Sequence, residues 1–190
     1  PVQESECGHR GIYYCYVRGF SGPRGAPDGA EFSRIEDEQA YVFPSDDGVT
    51  CVALSLNLSD FAWMRQQPER RFHERIARHR GLAERFAAAS WEGRLLGCGP
   101  DPNHVRVPFG PGWALVGDAG MHQDPWTGQG IDKATVHATF LAEALQDWLG
   151  GAASEQEALS RYHERRDEDG LPGYSMTVIK SRDLRQELAA

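Results

Sequence analysis

The sequence lacks most of the features that would commit it to a metal, a disulfide framework or a membrane. Its four cysteines form no Cys-x-x-Cys pair and its seven histidines are scattered, so we expect no metal site and only free, mostly buried thiols. No apolar run approaches the roughly 20 residues that span a bilayer, and no signal peptide opens the sequence. These absences predict a cytoplasmic protein without a membrane span.

The sequence also has fewer positively charged residues than negatively charged ones. The 190 residues include 20 Lys and Arg against 28 Asp and Glu, which gives a net charge of −8. Phosphate backbones and anionic lipid surfaces repel such a chain, so nucleic acid is not an expected partner. Hydrophobic residues make up 40% of the sequence and charged residues 25%, an ordinary globular balance for one or two domains.

The first half of the chain carries the pattern of an antiparallel sheet. Gly11–Arg18 is dense in β-branched and aromatic residues, and Val49–Leu58 alternates large apolar residues with smaller or polar ones. The other predicted strands are Glu31–Glu36, Gln39–Pro44, Trp91–Cys98 and a short one at Val105–Phe109. Residues 1–10 have no pattern and are predicted to be frayed, and Gly19–Gly29 is predicted to be a loop. The pattern indicates a half-buried meander of about four strands.

Helices are predicted between and after these strands. They are Asp60–Gln67 with Asp60 as its cap, one that begins at Pro68, Leu82–Ala89, a long one after Gly130, Glu155–Asp167 and Tyr174–Leu188. Ser154 and Glu157 have the spacing of a capping box at the start of the fifth helix. Gly170–Gly173 is predicted to be a turn between the last two helices.

The stretch from Gly112 to Leu149 has the order of a ligand site. Trp113–Val116 is a short apolar run that predicts a buried strand, and it ends in Gly117-Asp118. Asp118 is therefore expected at a strand's carboxyl end, the edge at which open α/β sheets bind ligands. A loop containing Pro125 follows and leads to Gly128-Gln129-Gly130 and a helix, whose first amide groups favour negative charge or a carbonyl oxygen.

From Pro111 to about Leu149 the sequence resembles the flavin-dependent monooxygenases of the para-hydroxybenzoate hydroxylase type. The resemblance implies that the chain binds FAD and that Asp118 holds the ribityl hydroxyls. It also implies that the loop around Pro125 borders the flavin ring, and that the amides from Gly128 to Ile131 face its N1 and C2 carbonyl side. The implied cofactor-binding residues are Gly117, Asp118, Pro125, Gly128, Gln129, Gly130 and Ile131.

The sequence does not contain the pyrophosphate-binding half of such a site. The segment from Gly128 to Lys133 lacks the third glycine of a Gly-x-Gly-x-x-Gly turn and follows a loop instead of a strand. The resemblance therefore implies a missing N-terminal FAD-binding half. We predict an α+β fold with an antiparallel substrate-domain sheet in residues 1–110. Residues 111–190 would form C-terminal helices and one strand-loop-helix of an incomplete FAD-binding α/β domain. Trp113–Val116 would then pair with another chain, as in a homo-oligomer, or lie on a small, incomplete sheet.

As a function, the resemblance implies the C-terminal portion of an FAD monooxygenase that hydroxylates a small organic substrate with O2 and with NADH or NADPH as hydride donor. The alternatives are a flavin-dependent halogenase or prenyl-chain reductase of the same fold, or a truncated non-catalytic fragment that binds no FAD. The candidate substrate-binding residues are Tyr14, Tyr16, Tyr41 and Phe43, for which plain packing is the alternative. No side chain is identified as a general acid or base, and His122 and Asp124 are expected to shape the loop.

Overall fold

The computed structural model describes residues 2–22 and 29–187, with the side chains of residues 186 and 187 left out. The strands are β1 Val2–Glu6, β2 Arg10–Arg18, β3 Glu31–Ile35, β4 Glu38–Pro44, β5 Val49–Asn57, β6 Ser90–Cys98, β7 Asn103–Arg106, β8 Phe109–Gly110, β9 Trp113–Ala114 and β10 Met121–His122. The helices are α1 Leu58–Met64, α2 Pro68–Ile76, α3 Ala83–Ala88, α4 Gly130–Leu149 and α5 Glu155–Ser181. The chain has the predicted α+β fold, with antiparallel sheets and C-terminal helices.

The chain divides into two compact units. The sheet unit consists of His9–Pro100 with the residues from Arg182 onward, and the helical unit consists of the residues up to Gly8 with Asp101–Ser181. This division differs from the expected one at residue 110, because the first residues and those after Pro100 pack with the C-terminal helices. The roles of the two units, as a substrate domain and as part of an FAD-binding domain, stay predictions.

The sheet unit is built on five antiparallel strands in the order β3-β4-β5-β2-β6. Alternate residues of β2 and β5, including Cys15, Val17, Val52 and Leu54, are buried in one hydrophobic core with the residues of α1 to α3. The predicted strands are confirmed here to within two residues at each end. The sheet has five strands instead of about four, since β6 returns to pair with β2 along its outer edge.

The ends of the sheet-unit helices follow local capping rules. Asn57 caps α1, because its side-chain oxygen accepts a hydrogen bond from the backbone N–H of Asp60 at 2.9 Å. The prediction that Asp60 is the cap was therefore wrong by three residues. Pro68 is the first residue of α2, as predicted, since a proline there loses no intrahelical hydrogen bond. The predicted loop Gly19–Gly29 falls largely on residues outside the described set.

The helical unit combines a small sheet with two long helices. Its three strands have the order β1-β7-β10, all antiparallel. The prediction of a frayed N-terminus was wrong, because β1 pairs with β7 even though most of its side chains are exposed. An edge strand of this kind has no apolar alternation by which sequence reasoning could find it.

The C-terminal helices also differ from the expectation at one place. The capping box at Ser154 and Glu157 is confirmed, with the Ser154 amide 3.0 Å from the Glu157 carboxylate. The predicted turn at Gly170–Gly173 was wrong, because α5 continues through Pro172 without a break, so the helix predicted from Tyr174 is its second half. A Cβ at Gly170 would lie 2.6 Å from the sulfur of Met121, so this glycine permits close packing of α5 and does not mark a turn. The end of that predicted helix, Leu188, lies outside the described residues.

Two further expectations concern free thiols and membrane helices. The four cysteines are free; Cys15 is buried, Cys51 is half-buried, and Cys7 and Cys98 are exposed, so the expectation of mostly buried thiols was wrong for two of them. Within residues 2–22 and 29–187, no helix is both long and apolar enough to cross a bilayer.

Candidate functional site

The turn that carries Asp118 depends on the backbone freedom of a glycine. Gly117 has a φ of +58°, in the left-handed region, and begins a single 3-10 turn that ends at Ala119. A Cβ on Gly117 would lie 3.2 Å from the Cβ of Ala134 on α4, closer than ordinary van der Waals contact. The glycine therefore lets the turn bend sharply while it lies directly against the helix.

The strand before this turn is shorter than predicted. Only Trp113 and Ala114 pair, with Gly110 and Phe109, in a two-stranded sheet. Trp113 is 41% exposed, so the predicted burial of this run was wrong at its first residue. Within the described chain this run lies on a small, incomplete sheet, and its pairing with another chain stays a prediction. Asp118 accordingly lies in a 3-10 turn three residues after β9 instead of directly at a strand's end.

The carboxylate of Asp118 is free for a ligand. The residue is exposed, and its carboxylate makes no hydrogen bond or ion pair with any residue that the structure describes. Its backbone carbonyl accepts a hydrogen bond from Nε2 of His104 at 3.0 Å, and the next carbonyl, of Ala119, accepts one from the Arg106 guanidinium at 2.8 Å. Two side chains of β7 thus fix the backbone of the turn while the carboxylate stays available.

The loop after β10 is held by buried polar contacts. The Asp124 amide donates to Oδ1 of Asn103 at 2.6 Å, and Oδ1 of Asp124 accepts from the amide of Trp126 at 3.1 Å. Trp126 is 5% exposed, and its indole N–H donates to the carbonyl oxygen of Thr177 on α5 at 3.0 Å. The buried side chains of Asp124 and Trp126 therefore determine the shape of the loop. Pro125 lies between them on its exposed surface.

The start of α4 is open to solvent. Gly128 has a φ of +71° and ends the short 3-10 turn after Asp124, so the chain can reverse before α4 begins at Gly130. Ile131 is 83% exposed, unusually high for a large apolar residue. The side-chain oxygen Oε1 of Gln129 is buried without a hydrogen-bond partner in the described part of the chain. Ile131 is thus an uncovered apolar side chain at the helix N-terminus, whereas the Gln129 oxygen faces α5, 3.2 Å from the position that a Cβ on Gly173 would take.

Two buried side chains of α5 bind backbone carbonyls close to the turn that carries Asp118. The hydroxyl of Tyr162, a fully buried residue, donates to the carbonyl of Leu115 at 2.6 Å. One helical turn later, the buried guanidinium of Arg166 donates to the carbonyl of Arg106 at 2.8 Å. Burial raises the pKa of Tyr162 above its ordinary value, so the phenol stays protonated and remains a donor.

A charged cluster joins α4 to α5. Nζ of Lys133 lies 2.7 Å from Oδ2 of Asp169, and Nε2 of the buried His137 lies 3.2 Å from the same oxygen. The hydrogen bond from Lys133 lowers the pKa of Asp169. Burial lowers the pKa of His137, although Asp169 opposes that shift. The cluster fixes the first turns of α4, and thereby the residues that begin it, against α5.

The candidate substrate-binding residues lie together in the sheet unit. In the strand register, Tyr14 and Tyr41 both pair with Ala53, and Tyr16 and Phe43 both pair with Cys51, so the four aromatic residues form two rows on one face of the sheet. Their rings are in contact within each strand, as are those of Phe32 with Tyr41 and Phe43 at 5.6 Å. Tyr16 and Phe43 are 38% and 37% exposed, whereas Tyr41 is buried.

The structure thus groups the residues that the sequence singled out into two sets. Gly117 to Ile131 form one continuous segment of the helical unit, in which Met121, Asp124 and Trp126 are buried, and the aromatic residues form one face of the sheet unit. Sequence reasoning missed the side chains that hold the first set in place. They are Asn103, His104, Arg106, Lys133, Tyr162, Arg166 and Asp169. Most of their contacts join residues more than ten positions apart, so no local spacing could have indicated them.

The geometry at the start of α4 suits the flavin-facing part of an FAD site. The free Asp118 carboxylate can accept hydrogen bonds from hydroxyl groups, and the first amides of α4 can donate to a carbonyl or to a ring nitrogen. The exposed Ile131 is an apolar side chain that a bound group or a covering segment would bury. No group of three or more His, Cys, Asp or Glu residues in the described ranges is arranged to hold a metal ion.

Comparisons with known proteins lead to flavoenzymes. No family model matches the chain. A 90-residue segment, 47% of the chain, is 28% identical to the flavin-dependent halogenase armH1 of Armillaria mellea and covers 17% of that protein. Among solved structures, the fold matches the myxobacterial chondrochloren halogenase CndH with a TM-score of 0.81 at 22% identity, over 94% of this chain and 43% of that one.

A monooxygenase has a similar fold. The chain matches pqsL, a probable FAD-dependent monooxygenase from Pseudomonas aeruginosa, with a TM-score of 0.74 at 22% identity, over 97% of this chain and 50% of that one. The chain has the fold of part of a flavin-dependent oxidoreductase. It spans half or less of the length of these proteins, and at this identity the likeness extends to the fold alone.

Proposed function

We propose that this chain is the C-terminal portion of an FAD-dependent oxidoreductase and that its segment from Gly117 to Ile131 contacts the flavin. The observation that carries the proposal is the free carboxylate of Asp118, which is held in a sharp turn that begins at Gly117 and packs against the first turns of α4. The flavoenzyme fold supports it independently.

Each part of the segment has a distinct role in this proposal. Asp118 accepts hydrogen bonds from the ribityl hydroxyls, and Pro125 with Gly128 borders the ring. The amides at the start of α4 donate to the N1 and C2 carbonyl side, where the positive end of the helix dipole favours the negative charge of reduced flavin. An N-terminal half outside these 190 residues supplies the pyrophosphate site and covers Ile131.

The aromatic face of the sheet unit is the proposed substrate-contacting surface. Tyr14, Tyr16 and Phe43 offer ring surfaces and two phenol hydroxyls, which suit a small organic molecule with both apolar and polar groups, and the buried Tyr41 stacks with Phe43. Bound FAD supplies the redox chemistry, with NADH or NADPH as hydride donor and O2 as oxidant. The chain itself contributes binding, orientation and exclusion of water.

Two reactions follow from this cofactor chemistry, and hydroxylation is the first. Halogenation is the second, and it has support from the named halogenases among the similar proteins just as hydroxylation has support from pqsL. The complete protein, supplied with a panel of phenolic substrates, NADPH, a flavin reductase and O2, separates them. A hydroxylated product in the absence of halide establishes the monooxygenase, and a product that appears only with chloride or bromide establishes the halogenase. Neither product, with oxidation of NADPH unchanged by the substrates, contradicts both.

The flavin role of Asp118 has a direct test. Asp118→Ala in the complete protein removes charge-assisted hydrogen bonds worth roughly 1.5–3 kcal/mol, so FAD retention after gel filtration should fall. The matched control is Asp46→Ala, which removes an exposed carboxylate in the sheet unit. Equal FAD retention in the Asp118 variant and the control would contradict the assigned role. If the 190 residues alone stay colourless while the complete protein binds FAD and oxidises NADPH, the alternative of a truncated fragment that binds no FAD is supported.

A further inference from the structure

Two stacked histidines share a pocket with Asp118. His104 on β7 and His122 on β10 are direct partners in the strand register, and their rings stack with centroids 5.5 Å apart at an angle of 23°. Both are partly exposed and line one pocket together with Asp118, Arg106 and Ser5. The proposed function assigns neither imidazole a role.

The hydrogen bonds of the two histidines fix which ring nitrogen carries the proton. Nε2 of His104 lies 3.0 Å from the Asp118 carbonyl, and Nδ1 of His122 lies 3.0 Å from the Pro102 carbonyl. A carbonyl oxygen can only accept, so each of these nitrogens must donate an N–H. In the neutral rings, Nδ1 of His104 and Nε2 of His122 are therefore lone-pair acceptors. Neither has a partner among the residues that the structure describes.

The pocket consequently offers several acceptors close together. They are the two oxygens of the Asp118 carboxylate and the two ring nitrogens, and Arg106, which donates to the carbonyl of Ala119 through Nη1, has further N–H groups that can donate to the same ligand. Several adjacent acceptors match a ligand with several adjacent O–H donors, which is the chemistry of a sugar or a sugar-like chain.

We infer that His104 and His122, together with Asp118, form a subsite for the hydroxyl groups of a polyol chain, and that its occupant is the ribityl chain of the flavin. The inference rests on the proposed function. The ribityl chain is preferred over the ribose of a nicotinamide because the carboxylate belongs to the turn that packs directly against the first turns of α4, where the flavin is proposed to lie.

Two substitutions remove the free nitrogens while they keep the backbone contacts. In His104→Gln the side-chain amide can still donate to the Asp118 carbonyl from the position of Nε2. In His122→Asn the amide can still donate to the Pro102 carbonyl from the position of Nδ1. His73→Asn, on an exposed histidine of the sheet unit, is the control. The ligands are FAD, an FAD analogue whose ribityl chain lacks hydroxyl groups, and NADPH, each titrated into the flavin-free complete protein.

We expect each variant to bind FAD about three- to tenfold more weakly than the wild type and to bind the deoxygenated analogue with unchanged affinity. The control should bind all three ligands as the wild type does. Equal losses for FAD and for the analogue would show a merely structural role and overturn the inference. A loss confined to NADPH would overturn the ribityl assignment.

The result also distinguishes the inference from the proposed function. Unchanged FAD affinity in both histidine variants, with a loss in Asp118→Ala, would overturn the histidine subsite and leave the flavin site standing. A wild-type protein that binds no FAD would overturn both.

Discussion

Gly117 provides the sharpest test of the turn geometry. Its φ of +58° costs an L-residue about 1–2 kcal/mol, so alanine there strains the folded chain. The new methyl group would also lie 3.2 Å from the Cβ of Ala134, and overpacking of this kind costs about 1–3 kcal/mol. Gly117→Ala should therefore lower the free energy of unfolding by roughly 2–5 kcal/mol.

Gly128→Ala is the matched control for this substitution. Gly128 also has a positive φ, +71°, but no atom lies within 4 Å of the position its Cβ would take. In Gly128→Ala only the backbone strain should lower stability, so the free energy of unfolding should fall by about 1–2 kcal/mol. Urea unfolding of the two variants and of the wild type measures both values. A Gly117→Ala protein as stable as Gly128→Ala would show that the turn does not press on α4, and wild-type stability in both would refute the left-handed backbone.

Three further predictions concern the supports of the site. Tyr162→Phe leaves the Leu115 carbonyl without its buried donor, so the free energy of unfolding in urea should fall by about 1–3 kcal/mol; no change would mean that water replaces the phenol. Ser154→Ala removes the cap of α5 and should cost about 1 kcal/mol, read from the same titration, whereas Ser154→Gly should cost only a few tenths. Thermal melts should show stability falling as the pH drops. Burial lowers the pKa of His137, so the imidazole binds a proton more tightly in the unfolded chain than in the folded one. The stability that the neutral His137 contributes is therefore lost as the pH falls below the ordinary histidine pKa. Asp169, whose pKa the Lys133 contact lowers, adds a loss at still lower pH, and a melting temperature that rises on acidification would contradict both shifts.

The five-stranded sheet could be predicted because each of its strands has a recognisable pattern in its own residues. β2 and β5 alternate large apolar residues with others, and that alternation is the physical consequence of one face packing on helices. β1 could not be predicted, because its polar residues pair at an edge and derive their order from β7. Strand β1 could be identified only from its pairing with β7, about 100 positions away along the chain.

Gly170 illustrates why glycine is ambiguous in a sequence. Followed by Pro172 and Gly173, it has the composition of a turn, yet α5 runs straight through it. Its missing side chain makes room for Met121, which is a tertiary requirement that no local pattern expresses. Pro172 adds to the false signal because prolines usually end helices.

The candidate site divides in the same way. The order from Gly117 to Ile131 could be read from the sequence because turn, loop and helix start follow one another along the chain. The residues that support this segment could not be predicted, because Tyr162 and Arg166 of α5 bond to the carbonyls of Leu115 and Arg106 just outside it, about 50 to 60 positions away along the chain. The tautomers of His104 and His122 likewise depend on carbonyl groups that only the fold brings near.

The most direct test of the central claim is hydrogen–deuterium exchange of the complete protein with and without FAD. The proposed contacts involve the backbone of the turn at Gly117 and the first amides of α4. We expect FAD to slow exchange in peptides that cover Gly117 to Ile131, and Asp118→Ala to abolish this protection at the same FAD concentration. Protection by FAD that leaves this segment unchanged would contradict the account.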